Sequence, residues 1–131
     1  MSATVLRDQA ALSTFNKEFS KVIGLTTIAN YEHELLEYAT AGLTTIPGLR
    51  LIGTAADKAS VLSFVLEGFD VEVIGQALNR EGIAVRAGHH CAQPILRRFG
   101  IEATVRPSLA FYNTKAEVDA LVAALECFQR Q

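Results

Sequence analysis

Apolar and polar positions alternate along this chain with two different periods, and the points where the period changes mark out its elements. Leu12, Phe15, Phe19, Val22 and Ile23 fall at intervals that suit one side of a helix over 8–22. Gly24 punctuates that run. Beyond it Ile28, Tyr31, Leu35, Ala39 and Leu43 recur at helical spacing, with Thr26 or Thr27 as the expected cap. Gly42 and then Pro47-Gly48 argue against continuation. Leu49, Leu51 and Ile52 read as a short strand, and Val61, Phe64 and Val65 as another.

The helical period then returns. Asp70 can accept a backbone hydrogen bond at the start of a helix carrying Val71, Ile74 and Leu78, and Gly82 suits the left-handed geometry that closes it. The stretch 83–88, IAVRAG, begins another strand and runs into a polar His-His-Cys segment. Pro94 fits the first turn of a short helix through Arg98, which Gly100 ends. Residues 104–112 read as extended, with Pro107 implying an edge position or a bulge. Thr114 and Glu117 have the spacing of a reciprocal capping box, and behind it Val118, Leu121, Val122, Leu125 and Phe128 form the clearest amphipathic face. This order predicts an α+β fold: a two-layer sandwich in which amphipathic helices cover one face of a small mixed β-sheet.

Composition narrows the classes. The chain has 131 residues, half of them apolar and a fifth charged, which suits one folded domain with a core. Residues 1–20 are set apart as an N-terminal segment with partial helical character, and 21–131 form the domain. Twelve Lys and Arg against fourteen Asp and Glu give a formal charge of -2, so no nucleic-acid partner is expected. No apolar run is long enough to span a bilayer and no secretory signal opens the chain, so no membrane partner is expected and the cytoplasm is the expected location. Two cysteines do not make a disulfide framework.

The chemistry concentrates at His89-His90-Cys91, between a predicted strand and a predicted helix. A thiolate is the nucleophilic form of cysteine. His89 or His90 can take the proton, Arg86 can stabilise the anion, the following helix N-terminus acts in the same direction, and Gly88 lets the loop bend toward a substrate. A packed structural thiol and a metal ligand are the competing readings of Cys91. Adjacent histidines point in divergent directions on extended backbone, so no metal is expected. Arg106, like Arg86, follows a valine in a predicted strand; its planar fork suits a carboxylate, and a structural salt bridge is the plainer alternative. Cys127 reads as a helix-side packing residue, His33 as part of an ordinary amphipathic helix, and Arg97-Arg98 as solvated surface. Phosphate-loop, dinucleotide, HExxH, CxxC and GxSxG motifs are all missing from the sequence.

Two blocks carry a resemblance. GIAVRAGHHCAQP (82–94) and VRPSLAFYNTKAEVDALVAAL (105–125) are similar to the C-terminal region of the Suf-type cysteine desulfurases. These belong to the class V aminotransferase-like, pyridoxal-phosphate-dependent family, and the related selenocysteine lyases share the pattern. The resemblance covers about residues 20–128 and implies the C-terminal domain of fold-type I pyridoxal-phosphate enzymes. It implies that Cys91 is the catalytic residue, taking sulfur from L-cysteine to leave L-alanine and a Cys91 persulfide. Arg106 then binds the substrate carboxylate, Arg86 supports substrate or loop geometry, and Gly88, His89 and His90 support the loop.

The implied partners are a pyridoxal-phosphate-binding large domain, a second copy in a homodimer, and a small sulfur-acceptor protein serving iron–sulfur cluster assembly. Family members are much longer. Lys17, Lys21, Lys58 and Lys115 lack the context of a cofactor lysine, and Pro107 and Phe111 depart from the usual pattern of the second block. The isolated chain is therefore expected to bind no cofactor tightly and to be inactive. A standalone persulfide carrier or sulfur-acceptor interaction domain and a selenocysteine lyase domain are the alternatives.

Overall fold

The computed structural model describes residues 17–18, 21–22, 24–53, 61–89, 93–110 and 112–131. Lys17, Glu18, Lys21 and Val22 have helical backbone; the rest of the helix expected over 8–22 lies outside the described residues. Four further helices and four strands follow: α1 (Leu25–Thr44), β1 (Leu49–Leu51), β2 (Phe64–Leu66), α2 (Val71–Arg80), β3 (Arg86–Gly88), α3 (Gln93–Arg98), β4 (Thr104–Arg106) and α4 (Lys115–Gln129).

Local chemistry sets most of their ends. Asp70 caps α2 by accepting from the Glu72 amide at 2.8 Å. Thr114 and Glu117 form both halves of the capping box at the start of α4. The cap expected from Thr26 or Thr27 does not form. α1 starts at Leu25, so both threonines lie inside its first turn, and Gly24 stands at the cap with φ 90°, a conformation open to glycine and costly for a residue with a β-carbon. α3 closes on Gly100 at φ 74°, with the Gly100 amide donating to the Arg97 carbonyl at 2.9 Å and the Ile101 amide to the Leu96 carbonyl at 3.1 Å, the double bond of a Schellman turn.

The sheet runs in the order β1-β2-β4-β3. β2, α2 and β3 form a crossover unit that leaves one strand's width open, and β4 enters that gap antiparallel to both neighbours. β1 pairs antiparallel with β2, so the three pairings among the described strands are antiparallel, although β2 and β3 run in the same direction. Pro107 does not mark an edge. β4 is an inner strand, and Pro107 sits just past its end, where its carbonyl accepts the Leu62 amide at 3.2 Å; a ring nitrogen with no hydrogen is tolerated where the ladder stops.

Strand alternation assigns the two faces. Leu49, Leu51, Phe64, Leu66, Ala87 and Val105 occupy register positions on one side, and the first five helical contributors to the core, Leu35, Leu36, Ala39, Leu43 and Ile74, pack with Phe64, Leu66 and Val105. α2 lies on β3 and β4, α1 meets β1, and α4 packs on both α1 and α2. Every apolar position singled out on α4 faces this core or its margin. Tyr38 links α1 to α4 by donating to Asp119 at 2.7 Å, and Tyr31 donates to the Asn113 carbonyl at 2.6 Å. The expected two-layer α+β arrangement therefore holds, with α1, α2 and α4 on one face of the sheet.

Candidate functional site

The opposite face carries the polar chemistry. Because neighbouring strand residues point to opposite sides, Arg86, Thr104 and Arg106 turn away from the helical layer, as does Arg50 on β1. β3 and β4 are paired so that Arg86 stands directly across from Arg106, and Gly88 across from Thr104. Side chains in such pairs have β-carbons about 5 Å apart, and like charges placed there repel. The register therefore sets two arginines opposite each other where β3 forms the edge of the sheet.

The Arg106 side chain is partly buried, and its Nε has no hydrogen-bond partner among the described residues. A buried donor left unmade costs about 1–3 kcal/mol, more on a charged group. An anion between these forks would relieve both the unmade bond and the repulsion. A planar carboxylate matches the guanidinium geometry.

One residue beyond Arg86's neighbour, Gly88 takes φ 135°, where a side chain would be strained. An added β-carbon there would also meet Glu72 Oε1 at 3.9 Å, ordinary contact, so conformation rather than space calls for glycine. His89 is exposed. His90 and Cys91 lie outside the described residues, as do Lys58 and Phe111. The chain resumes at Gln93 in α3, whose one buried side chain is Leu96. Arg50 Nη2 donates to the Phe99 carbonyl just past that helix at 2.9 Å, which brings the segment after α3 to the far side of the sheet. Nothing in the sequence singles out this contact, since its two ends are forty-nine positions apart.

The remaining candidates take ordinary roles or move. His33 pairs with Glu37 at 3.3 Å one helical turn away. Arg97 meets Glu102 at 3.5 Å and Arg98 is exposed. Cys127, expected to pack, is exposed instead. The buried stripe of α4 runs through Val118, Leu121 and Leu125, and a position two beyond Leu125 is turned about 200° away from it. Cys127 lines a groove of about 490 Å³ on the helical side with Ile83, Leu109 and Phe128; Arg86, Arg106 and His89 are not among its walls. Among the described residues no group of three or more His, Cys, Asp or Glu side chains could hold a metal, and no helix is long and apolar enough to cross a membrane.

The described lysines do not form a cofactor seat. Lys21 pairs with Glu18 at 3.6 Å, and Lys115 lies 5.2 Å from the centre of the Tyr38 ring on the helical side. Paired arginines suit a planar carboxylate group; the described residues do not fit pyridoxal phosphate.

Known proteins share this architecture. Residues 9–121 match the family model described as Aminotransferase class-V. The chain is 72% identical over 112 residues to a cysteine desulfurase of Synechococcus elongatus, covering 86% of this chain and 18% of that protein. It is 67% identical over 103 residues to a probable cysteine desulfurase of Mycolicibacterium paratuberculosis, covering 79% of this chain and 15% of that one. Among solved structures, the apo cysteine desulfurase of Thermococcus onnurineus NA1 superposes with a TM-score of 0.81 at 32% identity, over 86% of this chain and 28% of that chain. The Escherichia coli cysteine desulfurase CsdA gives 0.71 at 37% identity, over 77% and 25%. The chain thus spans less than a third of the relatives it matches. It belongs to the class-V aminotransferase family of pyridoxal-phosphate-dependent enzymes, and within that family it is similar to the cysteine desulfurases over part of their length.

Proposed function

We propose that residues 21–131 are the C-terminal small domain of a Suf-type cysteine desulfurase, with 1–20 as a separate N-terminal segment. In this reading the domain supplies the sulfur-accepting thiol and the carboxylate clamp to an active site completed by a cofactor-binding large domain. The observation that carries it is the cross-strand pair Arg86–Arg106, with the buried Arg106 Nε unmade, on the strand that leads within three residues to Cys91.

The chain's own residues have definite tasks. Arg106 receives the carboxylate of L-cysteine and Arg86 completes the clamp, which orients the substrate thiol toward the loop of Gly88, His89 and His90. The Cys91 sulfur bonds to the substrate sulfur as the substrate's Cβ–S bond breaks. The carbon takes up a proton and leaves as L-alanine, and Cys91 retains the persulfide. When bound, pyridoxal phosphate supplies the electron sink that makes the breaking bond labile; the described residues of this chain neither hold it nor act through it. In this reading the persulfide passes to a small acceptor protein for iron–sulfur cluster assembly, from a homodimeric enzyme of the cytoplasm.

Alanine production measures the reading directly. The purified chain with L-cysteine and added pyridoxal phosphate is expected to release none, and the complete enzyme containing it is expected to lose turnover with Cys91→Ser. Robust alanine release by the chain alone would overturn the division of labour between domains. Full activity of the complete Cys91→Ser enzyme would overturn the assignment of the nucleophile.

A further inference from the structure

We propose that the groove between α2 and α4 is the seat of an apolar segment contributed by the part of the complete enzyme that this chain does not span. This rests on the reading of the chain as one domain of a longer desulfurase and deepens it, since it names where the rest of the enzyme grips the domain.

The groove has the extent and lining of a contact between parts of one protein. On α4 its lining runs from Glu117 to Gln131, about 21 Å of helix at ordinary rise. α2 and the turn after it line it too, through Ile74, Leu78 and Ile83. Ile74, Leu78, Leu121 and Leu125 belong to the buried core, so the core itself comes up to the groove. Small side chains flank them: Ala77 and Ala120 are half-buried and Ala123 is exposed. Protein interiors are close-packed. A core that ends in a hollow of about 490 Å³ beside alanines leaves room for the bulky apolar side chains of another element.

The polar groups of the groove do not suit a small ligand, which needs convergent polar atoms to orient it. Asn113 and Glu117 are engaged with each other and with the start of α4. Asn113 Nδ2 donates to Glu117 Oε2 at 3.0 Å, Asn113 Oδ1 accepts the Ala110 amide at 2.8 Å, and Glu117 Oε2 accepts the Thr114 amide at 3.0 Å. Arg80 and Glu81, the other charged residues of the lining, are exposed. An apolar lining poor in charge is the character of a permanent contact rather than of one that must open to release an acceptor. A second copy of the domain presents the same hollow, and two hollows do not fill each other. The chain spans less than a third of the relatives it matches, so most of a complete enzyme lies outside it. Arg86 and Arg106 are not among the walls of the groove, and a segment seated there holds the domain without entering the candidate site. A site shared between two domains needs such a hold, because its groups must be kept within about 0.5 Å of their working positions.

Cys127 reports on the groove, since it is exposed and lines it. Its alkylation by N-ethylmaleimide, followed by peptide mass, is compared in this chain and in the complete enzyme that contains it. In the chain the rate is expected to be independent of protein concentration. In the complete enzyme it is expected to be at least about tenfold lower, limited by local opening. Ala120→Arg and Ala123→Arg keep a good helix former whose charge can reach water from the isolated chain. Each is expected to leave the Tm of the chain nearly unchanged. In the complete enzyme each is expected to lower Tm and to restore most of the Cys127 rate seen in the chain.

Equal Cys127 rates in the chain and the complete enzyme overturn the proposal. So does a rate in the chain that falls as its concentration rises, which puts a second copy in the groove, and so does protection in the complete enzyme that survives both substitutions. Alanine release decides the desulfurase reading separately: a complete enzyme that makes none while Cys127 stays protected loses that reading and keeps the occupant of the groove.

Discussion

Arg86 and Arg106 stand directly across from each other on β3 and β4, where like charges work against the fold. Guanidiniums facing each other across two strands repel, so Arg86→Thr is expected to raise stability by up to about 1 kcal/mol while weakening carboxylate binding. Thermal unfolding with and without L-alanine reads both effects: Tm should rise in the free protein, and the ligand-dependent increment should shrink. Arg106→Lys in the complete enzyme loses the two-pronged fork, and KM for L-cysteine is expected to rise about tenfold or more. Tyr38 offers a different residue-level test. Its hydrogen bond to Asp119 holds its pKa above the usual value of 10.0, with desolvation and the Asp119 charge acting in the same direction. The neutral phenol is therefore favoured in the folded chain, and its contribution is present below pH 10, then lost as pH rises through the folded pKa. Denaturant unfolding at pH 9 and above should show a steeper alkaline loss in the unaltered chain than in Tyr38→Phe.

At the scale of elements, the seat of β3 depends on one glycine. A β-carbon at Gly75 in α2 would stand 2.8 Å from the β-carbon of Ala87, closer than two carbons tolerate. Gly75→Ala is expected to cost about 1–3 kcal/mol by overpacking, and adding Ala87→Gly should return part of that, a compensation visible in urea titrations as a non-additive pair. The same contact shows what a sequence can and cannot disclose. α2 and α4 were legible because their caps and periods are local: Asp70, Gly82, and the Thr114–Glu117 pair each act within a few residues. The start of α1 is masked in the sequence because Thr26 and Thr27 look like caps, whereas Gly24 takes the backbone turn that disfavours a side chain. Pro107 suggested an edge, yet whether a strand is inner or outer depends on pairings made far away in the chain. From the sequence, Arg106 reads as a candidate carboxylate binder and Arg86 as a support for the loop or substrate. Their direct opposition is not legible there, since it needs the register of β3 against β4. The contact of Arg50 with Phe99 is hidden in the same way.

At the scale of the whole molecule, one continuous core joins residues of α1, β2, α2, β4 and α4. Unfolding of the chain is therefore expected to be a single cooperative transition, with near- and far-ultraviolet circular dichroism giving coincident midpoints; two separated midpoints would mean that the helical layer and the sheet come apart independently. The placement of β4 between β2 and β3 has a consequence in time as well as in space. β4 leaves the ribosome after the thiol-bearing segment, so the thiol is synthesised before the strand that carries Arg106 and before the partner that seats β3. A nascent chain ending ahead of Thr104 holds a sulfur atom with no clamp beside it. In the reading proposed above, a product truncated there would carry Cys91 without the Arg106 strand that the clamp requires.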